Sequence, residues 1–302
     1  MCALILAGCA GGPLGDAQPL GKAVLNPPMI VGSTGRALPV SQWRAEGAER
    51  AVILAVHGFG GFGPSTFEPA ARAWAGQGIT TYAYDQRGFG RNDDWKRWPG
   101  ARVLIDDVRT VARSIKAAHP GVPLVVLGHS MGGGLVAAAA GSGLQADGIV
   151  LGAPAMLGYG ELNPLLRASA FTGALLFPDR RLTGRGVVRF YPTDNLELAR
   201  EVVRHPRYIA DASPRELFGL VLIMDKALAA APDIPMPSLT LIGANDQILS
   251  PRAMARVQRR IGGPAQVITY PQGWHWVFRD RQAARVWDDT ARFALGLGTG
   301  AS

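Results

Sequence analysis

Apolar residues along this chain fall into two patterns, short unbroken runs and longer helical repeats. The run 51–56 (Ala-Val-Ile-Leu-Ala-Val) is continuous, which predicts a strand buried on both faces. The segments 79–84, 123–127, 148–152, 238–243 and 266–270 predict five more strands, of which 123–127 and 148–152 are likewise unbroken by polar residues. Upstream, Gly32-Ser33-Thr34-Gly35 marks a turn between two further strands within 22–43. Helical periodicity through Val103, Val108, Val111 and Ile115 predicts a helix over 102–118, ended by His119-Pro120-Gly121. Helices are also predicted over 67–75, 135–140, 251–261 and 280–295. Strand and helix alternate, so the fold class is α/β, a mostly parallel sheet flanked by helices.

The alternation breaks between 155 and 236. This stretch carries Pro164, Pro178, Pro192, Pro206 and Pro214, short helical patterns at 196–203 and 216–230, and no clear strand. It predicts a helical cap inserted over the C-terminal edge of the sheet, where such sheets bind ligands. The alternative is a helical stretch packed on the side. The expected division is a core of 23–154 and 237–302 with a cap of 155–236.

Composition narrows the class without changing the fold. With 302 residues, 48% of them apolar, the chain can bury one large domain with an insertion. The formal net charge is +8, and lysine occurs only at Lys22, Lys96, Lys116 and Lys226, so arginine carries nearly all of the positive charge. Arginine-rich codon usage explains that, and so does attraction to an anionic membrane surface. No basic run is interleaved with aromatics, so nucleic acid is not an expected partner.

Cys2 and Cys9 both lie before the domain, which excludes an internal disulfide framework and a cysteine metal site. Leu6-Ala7-Gly8-Cys9 resembles a bacterial lipoprotein box, in which the cysteine is lipidated and the residues before it are removed. On that reading 1–8 is a truncated signal, 9–22 a tether, and the expected location the bacterial cell envelope, anchored to a membrane through Cys9. The apolar stretch before Cys9 is shorter than an ordinary signal core and has no basic flank. Either the start lies upstream or the match is coincidental, which would leave a cytoplasmic protein. No other stretch is long and apolar enough to span a membrane.

The candidate chemistry sits at 128–132, Gly-His-Ser-Met-Gly, between a predicted strand and a predicted helix. In a chain with 39 glycines the pattern alone is weak, and its strand–turn–helix setting carries the weight. Such a turn pushes Ser130 into a strained backbone geometry and leaves no room for a Cβ at Gly128 or Gly132. A serine needs a base, an orienting acid and an oxyanion hole. In the order Ser, acid, His, only His205 and His275 can serve as the base. His275 follows the 266–270 strand through Pro271-Gln272-Gly273-Trp274, whereas His205 lies in the helical stretch beside Pro206. A plain packing role for His275 between Trp274 and Trp276 stays open. Asp246 lies just past the 238–243 strand and is the candidate acid, because Ser250-Pro251 makes the better start for the next helix. The candidate oxyanion donors are the backbone amides of Met131 and of Phe59, in the loop His57-Gly58-Phe59-Gly60-Gly61. His57 and His129 read as structural neighbours. No metal or cofactor is implied.

With these residues in place the chain resembles the α/β-hydrolase superfamily, and more narrowly the monoacylglycerol lipase and lysophospholipase group. The resemblance runs from about residue 30 to the end. It is carried by His57-Gly58-Phe59-Gly60, Asp85-Gln86-Arg87-Gly88-Phe89-Gly90, Gly128-His129-Ser130-Met131-Gly132-Gly133, Gly243-Ala244-Asn245-Asp246 and Gly273-Trp274-His275, in that order. Asn163-Pro164 and the charged stretch ending in Ala231-Pro232 resemble that group's cap. The resemblance implies an α/β-hydrolase fold and hydrolysis of carboxylic esters of monoacyl lipids by a Ser-His-Asp triad. It further implies that 85–90 shapes a loop without catalysing. Asn92 stands where the family often has Ser. An acyl pocket under the cap is implied, with Phe59, Met156 and Leu157 as candidate lining. Thioesterase, perhydrolase or C–C bond hydrolase chemistry would use the same triad. A non-catalytic lipid-binding lipoprotein would need a degraded one. Epoxide and haloalkane hydrolysis are disfavoured, because those enzymes carry Asp at the nucleophile position.

Overall fold

A computed structural model describes residues 28–157, 164–183 and 190–298. Cys2, Cys9 and the stretches read as signal and tether lie outside the described residues, as does Asn163. The described strands, in chain order, are β1 (Met29–Val31), β2 (Ala37–Trp43), β3 (Ala51–Val56), β4 (Ile79–Tyr84), β5 (Leu124–His129), β6 (Gly148–Gly152), β7 (Ser238–Gly243) and β8 (Ala265–Tyr270). They form one sheet in the order β1-β2-β4-β3-β5-β6-β7-β8. Only the β1–β2 and β2–β4 pairs are antiparallel. The pairs from β4 through β3, β5, β6 and β7 to β8 are parallel.

The central strands explain the unbroken apolar runs. Every residue of β3 and of β5 is buried. Successive side chains point to opposite faces. Val52, Leu54 and Val56 therefore join one core cluster, and Ala51, Ile53 and Ala55 join the other. The first face is covered by α2 (Ala101–Ala118) and α3 (Met131–Ala140). On the second face, α1 (Gly63–Ala75) brings Phe67 and Trp74, and α8 (Ala283–Gly296) brings Val286 and Ala294. The edge strand β8 is mostly exposed.

Four helix ends differ from the pattern by three or more residues, the first being α3, which starts at Met131 directly after the turn and not at 135. α1 starts at Gly63, four residues before the first apolar position, because the Gly63 amide donates to the buried Asp85 carboxylate (3.0 Å) and Pro64 suits a first turn. α7 (Pro251–Gln258) stops short of 261 ahead of Gly262-Gly263. α8 starts at Ala283 and not at 280, because the Asp280 carboxylate accepts the Trp274 amide (2.7 Å) and holds the chain in a turn. Ser250 caps α7 through the Ala253 amide, with Pro251 in its first turn.

Between β6 and β7 the described chain is helical, with α4 (Pro164–Leu176), α5 (Leu196–Arg204) and α6 (Pro214–Ala230). The α4 helix is an addition to the two predicted helical patterns. The later turns of α6 pack on α3, where Ile223 and Ala227 join the first core cluster. α4, α5 and the earlier turns of α6 instead wall a cavity above the C-terminal ends of the strands. No described helix is long and apolar enough to cross a membrane.

Candidate active site

The turn after β5 has the strain its sequence demands. Ser130 has φ 53 and ψ −117, a left-handed conformation that costs a non-glycine residue about 1–3 kcal/mol. Surrounding contacts fix it. The Ser130 amide donates to Gly152 O (2.9 Å), and its carbonyl accepts from Ala155 (2.9 Å) and Gly134 (3.1 Å). A Cβ on Gly128 would stand 2.3 Å from Gly132 O, and one on Gly132 would stand 2.1 Å from Val56 O. Both glycines are therefore required by backbone atoms that have nowhere to go.

The structure brings Ser130, His275 and Asp246 together from the ends of β5, β8 and β7. His275 Nε2 lies 2.9 Å from Ser130 Oγ, and His275 Nδ1 lies 2.8 Å from Asp246 Oδ2. The other carboxylate oxygen, Asp246 Oδ1, accepts the amides of Ile248 (2.8 Å) and Leu249 (2.9 Å). Asp246 is thus committed to its own turn and to His275, and does not cap α7. His275 and Asp246 are buried, while Ser130 is partly exposed to the cavity.

His57 and His129 are both consumed by structure. His57 Nδ1 donates to Gly58 O (2.8 Å), and its Nε2 accepts the Gln86 amide (3.0 Å), which defines a neutral tautomer. Burial holds its pKa below the ordinary histidine value. His129 Nε2 donates to the carbonyl of His275 (2.9 Å). Burial, with the nearby His275 adding to it, pushes His129 down to about 3, so it stays neutral at any working pH. His205 is not at the site; it stacks on Phe62 at the end of α5.

The loop after β3 runs beside the serine, and a Cβ on Gly58 would stand 3.1 Å from Ser130 Cβ. Phe59 faces the cavity together with Ser130 and His275. The Met131 side chain is buried in the core, and its backbone opens α3 directly after Ser130. The 85–90 loop is a buried scaffold. Asp85 accepts from the Gly63 amide and from Arg91, and the Asn92 side-chain Nδ2 donates to the carbonyls of Asp85, Gln86 and Phe89 (2.9 Å each). Asn92 thereby ties this loop together.

The cavity measures about 730 Å³, within the range of small-molecule sites. Its walls are mainly apolar, including Phe59, Leu220, Val221, Met224, Ile248 and Phe278. Met156 and Leu157, expected as lining, are instead buried in the two core clusters, on opposite faces of the sheet. Among the described residues no cluster of His, Cys, Asp and Glu could hold a metal ion.

A family model described as Hydrolase_4: Serine aminopeptidase, S33 matches residues 47–282. A monoacylglycerol lipase of Mycolicibacterium smegmatis is 29% identical over 277 residues, covering 84% of this chain and 91% of that protein. The human monoglyceride lipase is 27% identical over 237 residues, 73% of each chain. In structure, a soluble variant of the Saccharomyces cerevisiae monoglyceride lipase superposes with a TM-score of 0.74 at 19% identity, covering 95% of this chain and 99% of that one. The chain belongs to the Hydrolase_4 family, as an α/β-hydrolase of the monoacylglycerol lipase group.

Proposed function

We propose that this protein hydrolyses carboxylic esters of monoacyl lipids, monoacylglycerols or lysophospholipids, through Ser130, His275 and Asp246. The single observation that carries the reading is the continuous relay Ser130 Oγ–His275–Asp246 at the floor of an apolar cavity. His275 Nε2 takes the Ser130 proton as Oγ attacks the ester carbonyl. Asp246 holds the Nδ1–H tautomer and stabilises the imidazolium that forms. The Phe59 and Met131 amides hold the oxyanion. His275 then returns the proton to the leaving alcohol, and water attacks the acyl-enzyme with His275 again as base.

The helices between β6 and β7 serve as the cap on this reading, and the cavity beneath them takes the acyl chain. The matched relatives named as monoacylglycerol and monoglyceride lipases support this substrate class. So does the surface of α4 and its end, where Leu165, Leu175, Leu176 and Phe177 are exposed on the helix that walls the cavity. A panel of p-nitrophenyl esters, monoacylglycerols and lysophospholipids of increasing chain length tests it. kcat/KM should rise at least tenfold from C2 to C8–C12 as methylenes enter the cavity, at roughly 0.8 kcal/mol each while space lasts. A preference for acetyl esters, or equal turnover of thioesters, would remove the lipid-ester reading.

We further propose that Cys9 is lipidated and holds the enzyme at the cell envelope. Mass spectrometry of the native protein should find a mature N-terminus at Cys9 carrying acyl mass. An unmodified residue upstream of Cys9 contradicts this.

A further inference from the structure

The backbone on both sides of His275 is anchored, and the anchors come from three places. His129 holds the His275 carbonyl, as described. The next amide, Trp276 N–H, donates to Pro192 O (2.8 Å) in the stretch between β6 and β7. The preceding amide, Trp274 N–H, donates to Asp280 Oδ2 (2.7 Å). Asp280 in turn donates its own amide to Trp276 O (3.0 Å), closing the turn that carries the histidine. Asp280 is 4% exposed, and the mechanism above gives its carboxylate no part.

The same stretch, 191–194, reaches both catalytic loops. The Tyr191 amide donates to Gln247 Oε1 (3.1 Å), beside Asp246. Arg281 N–H donates to Asp194 Oδ1 (2.9 Å). The buried Thr193 hydroxyl lies against the Asp280 carboxyl. The 191–194 strap and Asp280 therefore grip the histidine loop from two sides.

We propose that Asp280 is a positioning residue for His275, a buried carboxylate that fixes the Trp274 amide, links the histidine loop to the 191–194 strap and favours the imidazolium through its charge. The proposal rests on the Ser130–His275–Asp246 reading. Its charge acts with a definite sign. Burial pushes the Asp280 carboxyl up to about 7, while the Thr193 hydroxyl and the Trp274 amide pull it back toward ionisation. The charged groups facing it are Asp194, from the strap, which adds to the upward shift, and His275, which opposes it. At and above neutral pH a large share of Asp280 is therefore anionic, and that charge stabilises His275 when it accepts the serine proton. Removing the charge makes the imidazolium formed during turnover costlier, so the chemical step slows.

The test uses the full-length protein with three variants, Asp280→Asn, Asp280→Ala and Ser130→Ala, in one ester assay from pH 5 to 9. Asp280→Asn keeps an oxygen for the Trp274 amide and loses the charge. It should lower kcat about three- to tenfold with KM little changed. Asp280→Ala also loses the acceptor and should fall further, by about a hundredfold, which only a folded sample can report. An Asp280→Asn enzyme with the wild-type kcat would overturn the proposal, whatever its melting temperature. Ser130→Ala separates the two claims. If it is dead and Asp280→Asn is unchanged, only the Asp280 role fails. If Ser130→Ala stays active, the triad reading fails first.

Discussion

Replacing Ser130 by alanine is expected to lower kcat on a short p-nitrophenyl ester by about ten-thousandfold or more, with the fold intact. The hydroxyl makes one side-chain hydrogen bond, to His275 Nε2, so its loss removes the proposed attacking atom and little else. The structural work at this position is done by the backbone, through Gly152 O, Gly134 N and Ala155 N. Those bonds survive the substitution, and alanine meets the same strained φ that serine already tolerates. Thermal melting should therefore move little while turnover collapses. On the proposed mechanism, residual activity would come from the Phe59 and Met131 amides and from binding alone.

Replacing Gly132 by valine is expected to do the opposite and abolish folding at ordinary temperature. Its Cβ would lie 2.1 Å from Val56 O, 2.6 Å from His57 O and 2.8 Å from Val56 C. These are backbone atoms at the end of the central strand β3, so no side chain can swing away. Overpacking of a core costs about 1–3 kcal/mol when neighbours yield. Here they cannot, and the cost should be several kcal/mol, a large part of the stability of a domain. Gly296→Ala is the matching control. Nothing lies within 4 Å of its Cβ, at the end of α8, so urea unfolding should show an unchanged or slightly raised midpoint. Equal melting of wild type and Gly132→Val would mean that the elbow is not packed as described.

Much of this was legible because apolar run length and strand burial are linked. The segments 51–56, 79–84, 148–152 and 238–243 match strands to the residue, since a strand buried on both faces is mostly apolar, with Thr80, Thr81, Ser238 and Thr240 the buried polar exceptions. The meeting of Ser130, Asp246 and His275 was legible for a related reason. Each follows its own strand at the same edge of a parallel sheet, so topology gathers them without any sequence proximity. What stayed hidden depends on contacts that no period encodes. Asp280 looks like the first residue of an amphipathic helix, and only the fold reveals that its carboxylate turns back to Trp274. The early start of α1 likewise depends on Asp85, distant in sequence. Met156 and Leu157 follow β6 toward the cavity, yet both side chains turn into the core. Thr193 carries no signal at all until the strap is seen beside the histidine loop.

The central claim is that Ser130 is the attacking atom. The most direct measurement is labelling of the full chain with a fluorophosphonate probe, followed by intact mass and peptide mapping. One adduct per chain on Ser130, absent from Ser130→Ala and formed in step with loss of esterase activity, is the predicted result. An adduct on another residue, or esterase activity that persists with Ser130 fully labelled, would contradict it.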